Sequence, residues 1–370
     1  MNIAQKIAKE STITFSGHLY GNVNRYLYTA LLARWVGVEY LGIYSLANSI
    51  ILIAEVLAKM GLETGIMRFV SRLDPQQNKE HIQRIVSSAL KMTSVLSVIV
   101  MAVIIFGSGW LVNSFLKEPP VLRTVLIVFA LTMPFNAFTL VSAFATQGFK
   151  ILKYKVFVNQ IVNPFTLLLT MILSYVFFGV NVAILAPTVV SAVIGFFLIL
   201  HYLNSFVDVN VSKVLNAKFD NKILRFSLPL MFVSAIGIIM HWTDIIMLGI
   251  LKDAKDVGLY HPVERTAGLI RMILFAFASI FAPLFSQYFH EKNQTKMLEV
   301  FQLSTKWILL TSLPLFIFLI LFSNTILMLF GSEFGNNSLA LPVLTVGIMI
   351  QSVFGLGSPS LTMSGFQKYN

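Results

Sequence analysis

The sequence predicts an all-α polytopic membrane protein, and three observations carry that reading. Hydrophobic residues make up 56% and charged residues 12% of the 370, against about 45–50% and 25% in soluble domains. So little polar surface cannot wrap so much apolar mass in water, and a mean hydropathy of +0.80 excludes intrinsic disorder. Apolar runs of about 20 residues, the length that crosses a hydrocarbon core as a helix, recur along the whole chain. The alternating pattern of an outer-membrane barrel is absent.

Ten spans are expected, at 12–33, 41–62, 88–112, 122–145, 156–180, 181–203, 226–250, 258–286, 306–330 and 339–362. The first follows Lys6 and Lys9 and is interrupted by His18, Asn22 and Arg25. No small-residue cleavage site follows it, so it reads as a retained span rather than a signal peptide. Residues 72–84 read as a solvated turn leading into an amphipathic entry to span 3.

Lys and Arg sort by side. The N-terminus and the loops after spans 2, 4, 6 and 8, with the tail, hold nineteen, and the opposite loops hold five. That asymmetry puts the N-terminus and the long basic loops in the cytoplasm of a multi-pass inner-membrane protein. It also accounts for the net charge of +11 without any nucleic-acid partner. Zero cysteines exclude disulfides, thiol catalysis and the usual zinc sites.

The chain repeats itself. Val38-Glu39-Tyr40-Leu41-Gly42-Ile43-Tyr44 reappears as Ala254-Lys255-Asp256-Val257-Gly258-Leu259-Tyr260, an offset of 216. Ser71, Asn78 and Lys91 match Ser286, Asn293 and Lys306, and Gly148-Phe149-Lys150 matches Gly365-Phe366-Gln367, at offsets of 215 and 217. Six spans per copy is an even number, so both copies start on one side: a parallel repeat of two six-helix lobes. Residues 1–216 form the first lobe and 217–370 the second, with spans 7–10 only. A full second copy would end near residue 432, so about two helices are expected beyond Asn370.

Particular residues then carry a resemblance. The polar first helix, the repeated Gly-x-Tyr openings of spans 2 and 8, and Gly-Leu-Glu-Thr-Gly-Ile-Met-Arg-Phe at 61–69 resemble the polysaccharide (O-antigen type) flippases. Asp244 with Ile-Met-Leu-Gly at 246–249 and Val-Gly-Leu-Tyr at 257–260 are similar to that family's passage from span 7 to span 8. These proteins belong to the multidrug/oligosaccharidyl-lipid/polysaccharide exporter superfamily and are normally longer. The resemblance implies two lobes around a central cavity that alternates between inward and outward openings. Its cargo would be an undecaprenyl-pyrophosphate-linked oligosaccharide repeat unit, and a glycan polymerase is an implied partner alongside membrane lipids.

Charges inside spans are costly and are functional candidates by default. His18, Asn22, Arg25 and Thr29 fall at i, i+4, i+7 and i+11 on one face of span 1, which Asn24 and Tyr28 widen. Arg25 is too deep to snorkel easily, and a permanently charged guanidinium suits a pyrophosphate. An interlobe ion pair is the competing reading. In span 8, Glu264 and Arg271 share a face while Arg265 points about 100° away. Arg271 is the deeper arginine and the better ligand candidate, and Glu264 is expected to neutralise an arginine when the site is empty. His241 and Asp244 form a candidate coupling pair in span 7, a carboxylate beside an imidazole, and pairing with Arg265 or Arg271 on the next helix is the stronger competing reading. Gly17 and Gly21 read as a helix-packing pair. Glu55 and Lys59 read as an ordinary i, i+4 ion pair.

No phosphate-cradling loop, paired-carboxylate motif or metal-spaced His cluster is visible. The expectation is a transporter without catalytic residues, metal or cofactor. Against the flippase stand a cation-coupled multidrug exporter of the same fold and a non-transporting scaffold for glycan assembly. Arginines in the spans argue against a site for cationic drugs.

Overall fold

The computed structural model describes residues 3–73, 77–116, 118–337 and 339–364, and every regular element among them is helical. In chain order these are α1 (Ile3–Val36), α2 (Val38–Lys59), α3 (Leu62–Ser71), α4 (Lys79–Trp110) with a π-helical end at Leu111–Leu116, and α5 (Pro120–Gly148). Then come α6 (Lys153–Val156), a π-helical stretch (Phe157–Val162), α7 (Asn163–Phe178), α8 (Val180–Asn204), α9 (Val211–Leu215) and α10 (Asn221–Leu251). The chain continues with α11 (Ala254–Ala267), α12 (Leu269–His290), α13 (Gln294–Leu321), α14 (Ser323–Met328), a 3-10 turn (Ser332–Asn337), α15 (Ala340–Phe354) and α16 (Gly357–Met363).

Each of the ten expected spans coincides with one of these helices or with a broken run of them. Among the described residues, eight are long and apolar enough to cross a membrane. In α1 a polar face lowers the hydropathy, and the eighth span is interrupted. That span is not one helix: it divides into α11 and α12 at Gly268, with Pro262 inside the first piece. Span 5 likewise contains a π-helical segment, and span 10 breaks between α15 and α16. Hydropathy is blind to these breaks because it registers composition, not which backbone hydrogen bonds are made. Membrane helices tolerate them where neighbouring groups satisfy the freed backbone.

Span 2 closes in a sharp turn. Met60 and Gly61 take left-handed backbone at φ 48° and 69°, and α3 sets off in a new direction. Gly61 is required twice over, since a Cβ there would lie 2.4 Å from Ser227 O on α10. Two repeat-related asparagines stand at matching places, the N-cap positions of α4 (Asn78) and α13 (Asn293), the third span of each copy, and the Asn293 side chain accepts the N–H of Lys296. The third matching segment, Gly365-Phe366-Gln367, lies outside the described residues, as do 74–76 of the 72–84 turn.

The fold divides into two compact units, Met1–Gly258 and Leu259–Asn370. In the first, α5 packs against α2, α3, α4 and α8. Small residues such as Ala130, Ala137, Ser142, Ala145 and Gly148 let these backbones approach. Ile66, Val70, Ile82, Val86, Val141 and Leu203 form the core at one end. Near the other end Trp35 stacks on Tyr175 at 4.8 Å and Trp110 on Phe115 at 6.0 Å. Phe149, Tyr154, Tyr202 and Phe206 pair at the first end. Aromatic rings grouped at both ends of a bundle are the expected interfacial belts. In the second unit, α12 packs with α13, α15 and α16 around Leu274, Phe281, Ile308 and Leu356.

Candidate functional site

The charged residue of span 1 is held by a defect in span 5. Between Phe157 and Val162 the helix widens, and the N–H of Asn163 reaches back five residues to Val158 O. The next acceptor in that series, Asn159 O, would need the N–H of residue 164, which is proline and has none. Arg25 supplies the missing donor. Its Nη2 donates to Asn159 O at 3.0 Å, and its Nη1 to Gln160 Oε1 at 3.0 Å. These two acceptors are amide oxygens, which orient the half-buried guanidinium and carry no charge themselves.

Glycines on α1 make this approach possible. A Cβ at Gly21 would lie 2.7 Å from Gln160 O, and one at Gly17 would lie 2.2 Å from Val156 Cγ1. Of the other residues on α1, His18 is exposed and Asn22 half-buried. Asn24 and Thr29 are buried and spend hydrogen bonds on their own helix, Asn24 Nδ2 to Tyr20 O and Thr29 Oγ1 to Arg25 O. Tyr28 packs on Tyr44 with ring centroids 5.5 Å apart.

Sequence reasoning missed Asn159, Gln160 and Asn163. The signal was present: three amides in five residues, followed by proline, inside an apolar span. Their surroundings are polar too. Ser191 Oγ donates to Asn163 O at 3.0 Å, while Asn159 Nδ2 and Asn163 Oδ1 are buried without a hydrogen-bond partner. Isolated π-helical turns are frequent at functional sites.

The second unit carries a separate charged set. Glu264 on α11 and Arg271 on α12 form an ion pair at 3.4 Å across the Gly268 break. Arg265 is half-buried, with its Nε unpartnered. One turn earlier His261 is 1% exposed, and neither ring nitrogen makes a hydrogen bond. It too was missed; its i, i+4 spacing to Arg265 was the available clue. In the first unit, His241 is exposed and sets its ring edge-on to Trp242 at 5.0 Å. Asp244 is half-buried and accepts the N–H of Ile245. Glu55 pairs with Lys59 at 3.6 Å and accepts from Asn136 Nδ2 at 3.2 Å, a buried structural contact.

No group of three His, Cys, Asp or Glu residues among those described is placed to hold a metal ion. The open depression between α11 and α15, about 510 Å³, is apolar and lined by Tyr260, Leu339, Val343 and Gly347 among others.

Comparison with known proteins gives the family. The polysaccharide biosynthesis protein family matches residues 7–289, and the MatE family matches residues 229–366. A probable low-salt glycan biosynthesis flippase, Agl15 of Haloferax volcanii, is 23% identical over 358 residues, covering 94% of this chain and 70% of that protein. The inward-facing structure of a multidrug resistance MATE transporter of the MOP superfamily superposes with a TM-score of 0.74 at 16% identity. It covers 97% of this chain and 85% of the other. The MATE multidrug transporter DinF-BH superposes at 0.68 with 19% identity, covering 99% and 84%. The fold is that of these MATE transporters, and the chain, with eight helices among its described residues long and apolar enough to cross a membrane, belongs to the polysaccharide biosynthesis protein family.

Proposed function

We propose that the protein flips undecaprenyl-pyrophosphate-linked oligosaccharide repeat units across the cytoplasmic membrane by alternating access. Its N-terminus and basic loops then lie in the cytoplasm, and residues 1–216 and 217–370 act as its two lobes. The observation that carries the reading is Arg25: a guanidinium inside a span, oriented by neutral acceptors and suited to an anionic head group. Asn22, Asn24 and His18 on the same helix would meet the sugar-bearing end. Arg271 and Arg265, with Glu264 as the counter-charge that a ligand displaces, would supply the second contact. His241 and Asp244 would serve coupling. A glycan polymerase is the natural recipient of the product.

Two features support this cargo over cationic drugs. The family match over 7–289 is to polysaccharide biosynthesis, and Arg25, Arg265 and Arg271 lie inside spans. Multidrug export is the second reading, favoured by the MATE neighbours.

The test is complementation of a flippase-deficient strain at matched membrane expression, using the full-length protein with Arg25→Ala, Arg25→Lys, Arg271→Ala or Arg271→Lys. Charge is what a passing pyrophosphate needs, so lysine should restore part of the export and alanine none. Normal glycan export by both alanine variants would overturn the proposal. Drug resistance conferred by the unaltered protein without glycan export would favour the second reading.

A further inference from the structure

The segment joining α8 to α10, residues 205–220, is docked on one side and bare on the other. On its docked side Val207 and Val209 are buried in the core with Ile82, Ile85 and Val86. Gln83 Nε2 donates to Asp208 O at 3.0 Å, Lys91 Nζ to Ala217 O at 2.9 Å, and the Asp220 N–H to Ser88 Oγ at 2.9 Å. These contacts with α4 hold the segment along its length.

On the bare side Val211, Leu215 and Phe219 are 74%, 63% and 56% exposed. Val211 and Leu215 lie one turn apart on α9, beside a polar stripe made by Ser212 and Asn216. Three lysines accompany them: Lys213, which pairs with Asp208, and Lys218 and Lys222.

The height of this segment is fixed by the spans it joins. It starts at the end of α8, beside the ring pairs Phe149–Phe206 and Tyr154–Tyr202, and ends at the start of α10. Such ring belts sit at head-group level. An amphipathic stretch there, apolar on one stripe and basic around it, has the composition of an interfacial lipid contact. We propose that residues 209–222 form an interfacial anchor that inserts Val211, Leu215 and Phe219 at the acyl boundary and binds anionic lipid head groups through Lys218 and Lys222. The surface belongs to the side of the basic loops, the side that faces anionic lipid in a cytoplasmic leaflet. It rests on the chain spanning a bilayer and is independent of the cargo.

The absence of cysteine makes the test direct. Val211→Cys, Leu215→Cys and Asn216→Cys would each carry a spin label in the intact chain, reconstituted in phosphatidylcholine with or without phosphatidylglycerol. Electron paramagnetic resonance then compares collisions with oxygen, which enriches in lipid, and with a water-soluble nickel chelate. The oxygen-to-nickel ratio at 211 and 215 should exceed that at 216 severalfold and rise further with phosphatidylglycerol. Lys218→Gln with Lys222→Gln should abolish that rise. Equal nickel access at 215 and 216 in both lipids would overturn the anchor. An unchanged rise in the lysine variant would overturn the head-group contact. Low collision rates with both oxygen and the nickel chelate at 211 and 215 would assign the surface to protein instead.

Discussion

Gly42 and Gly258, related by the internal repeat, meet where α2 and the start of α11 cross. A Cβ on Gly42 would lie 1.6 Å from Ala254 O, and one on Gly258 would lie 1.9 Å from Val38 O. The contact is reciprocal: Ala254 is the repeat counterpart of Val38, as Gly258 is of Gly42. One patch meeting its own copy in this way is the mark of two-fold-related elements. Main-chain atoms cannot rotate aside as a side-chain tip can, so even a methyl group must part the helices. Gly42→Ala and Gly258→Ala should each cost about 3 kcal/mol or more, at the upper end of overpacking penalties. Thermal unfolding in detergent would measure this, with Gly237→Ala as the control. That glycine is helical with open space around it, and alanine there should be neutral or slightly stabilising.

The Glu264–Arg271 pair gives a second prediction. Their side chains are 11% and 24% exposed, so removing one partner leaves the other charge buried. Arg271→Ala should destabilise by about 3–5 kcal/mol. The double variant Glu264→Gln/Arg271→Gln should recover most of that loss. A loss of export that survives in the refolded double variant would then report on ligand contact rather than folding. Equal melting temperatures for wild type and Arg271→Ala would show the pair to be energetically idle.

Glu118 predicts a pH dependence. It lies between the π-helical end of α4 and Pro119-Pro120, is 8% exposed, and accepts the backbone N–H of Ala254. Burial first, then the charges of Asp253 and Glu39, raise its pKa above the ordinary 4.5, against the opposing hydrogen bond. The packed state therefore holds its proton more tightly than the unfolded chain. Stability conferred by the neutral form is present below the ordinary value and is lost as pH rises through the raised one. Glu118→Gln should flatten this part of the stability–pH curve. An unaltered curve would remove Glu118 as its source.

Arg25 separates charge from geometry. Gln160→Ala removes the Gln160 Oε1 acceptor and should lower export only several-fold, since Asn159 O remains. Arg25→Ala removes the donor and should abolish export. Matched export by these two variants, read by glycan display at equal expression, would mean that the guanidinium serves only to pack α1.

Much of the fold was legible in the residues. Runs of apolar residues mark every span, and the 216-residue offset marks the glycines that meet at α2 and α11. The breaks at Gly268 and at 157–162 were not legible, because helix continuity depends on tertiary donors such as Arg25 that composition does not reveal. Part of the candidate site was readable for the converse reason. A charge in a span stands out against its neighbours, as Arg25, Glu264 and Arg271 do. Asn159, Gln160 and Asn163 are uncharged, and three amides in an apolar span read as background until Pro164 is seen to leave a carbonyl without its donor. His261 escaped notice because a single imidazole changes the hydropathy of its span very little.

That carbonyl has a consequence for how the site can vary. Asn159 O belongs to the main chain, so no substitution at position 159 removes it, and a scan of side chains passes over it unseen. The residue that governs its availability stands five places away. Pro164→Ala would give position 164 an N–H able to close the helix onto Asn159 O, setting the helix in competition with Arg25 for one oxygen. A neighbourhood under selection could thus change the side chain at 159 freely and keep this main-chain hold on the guanidinium, while a single loss of proline would loosen it.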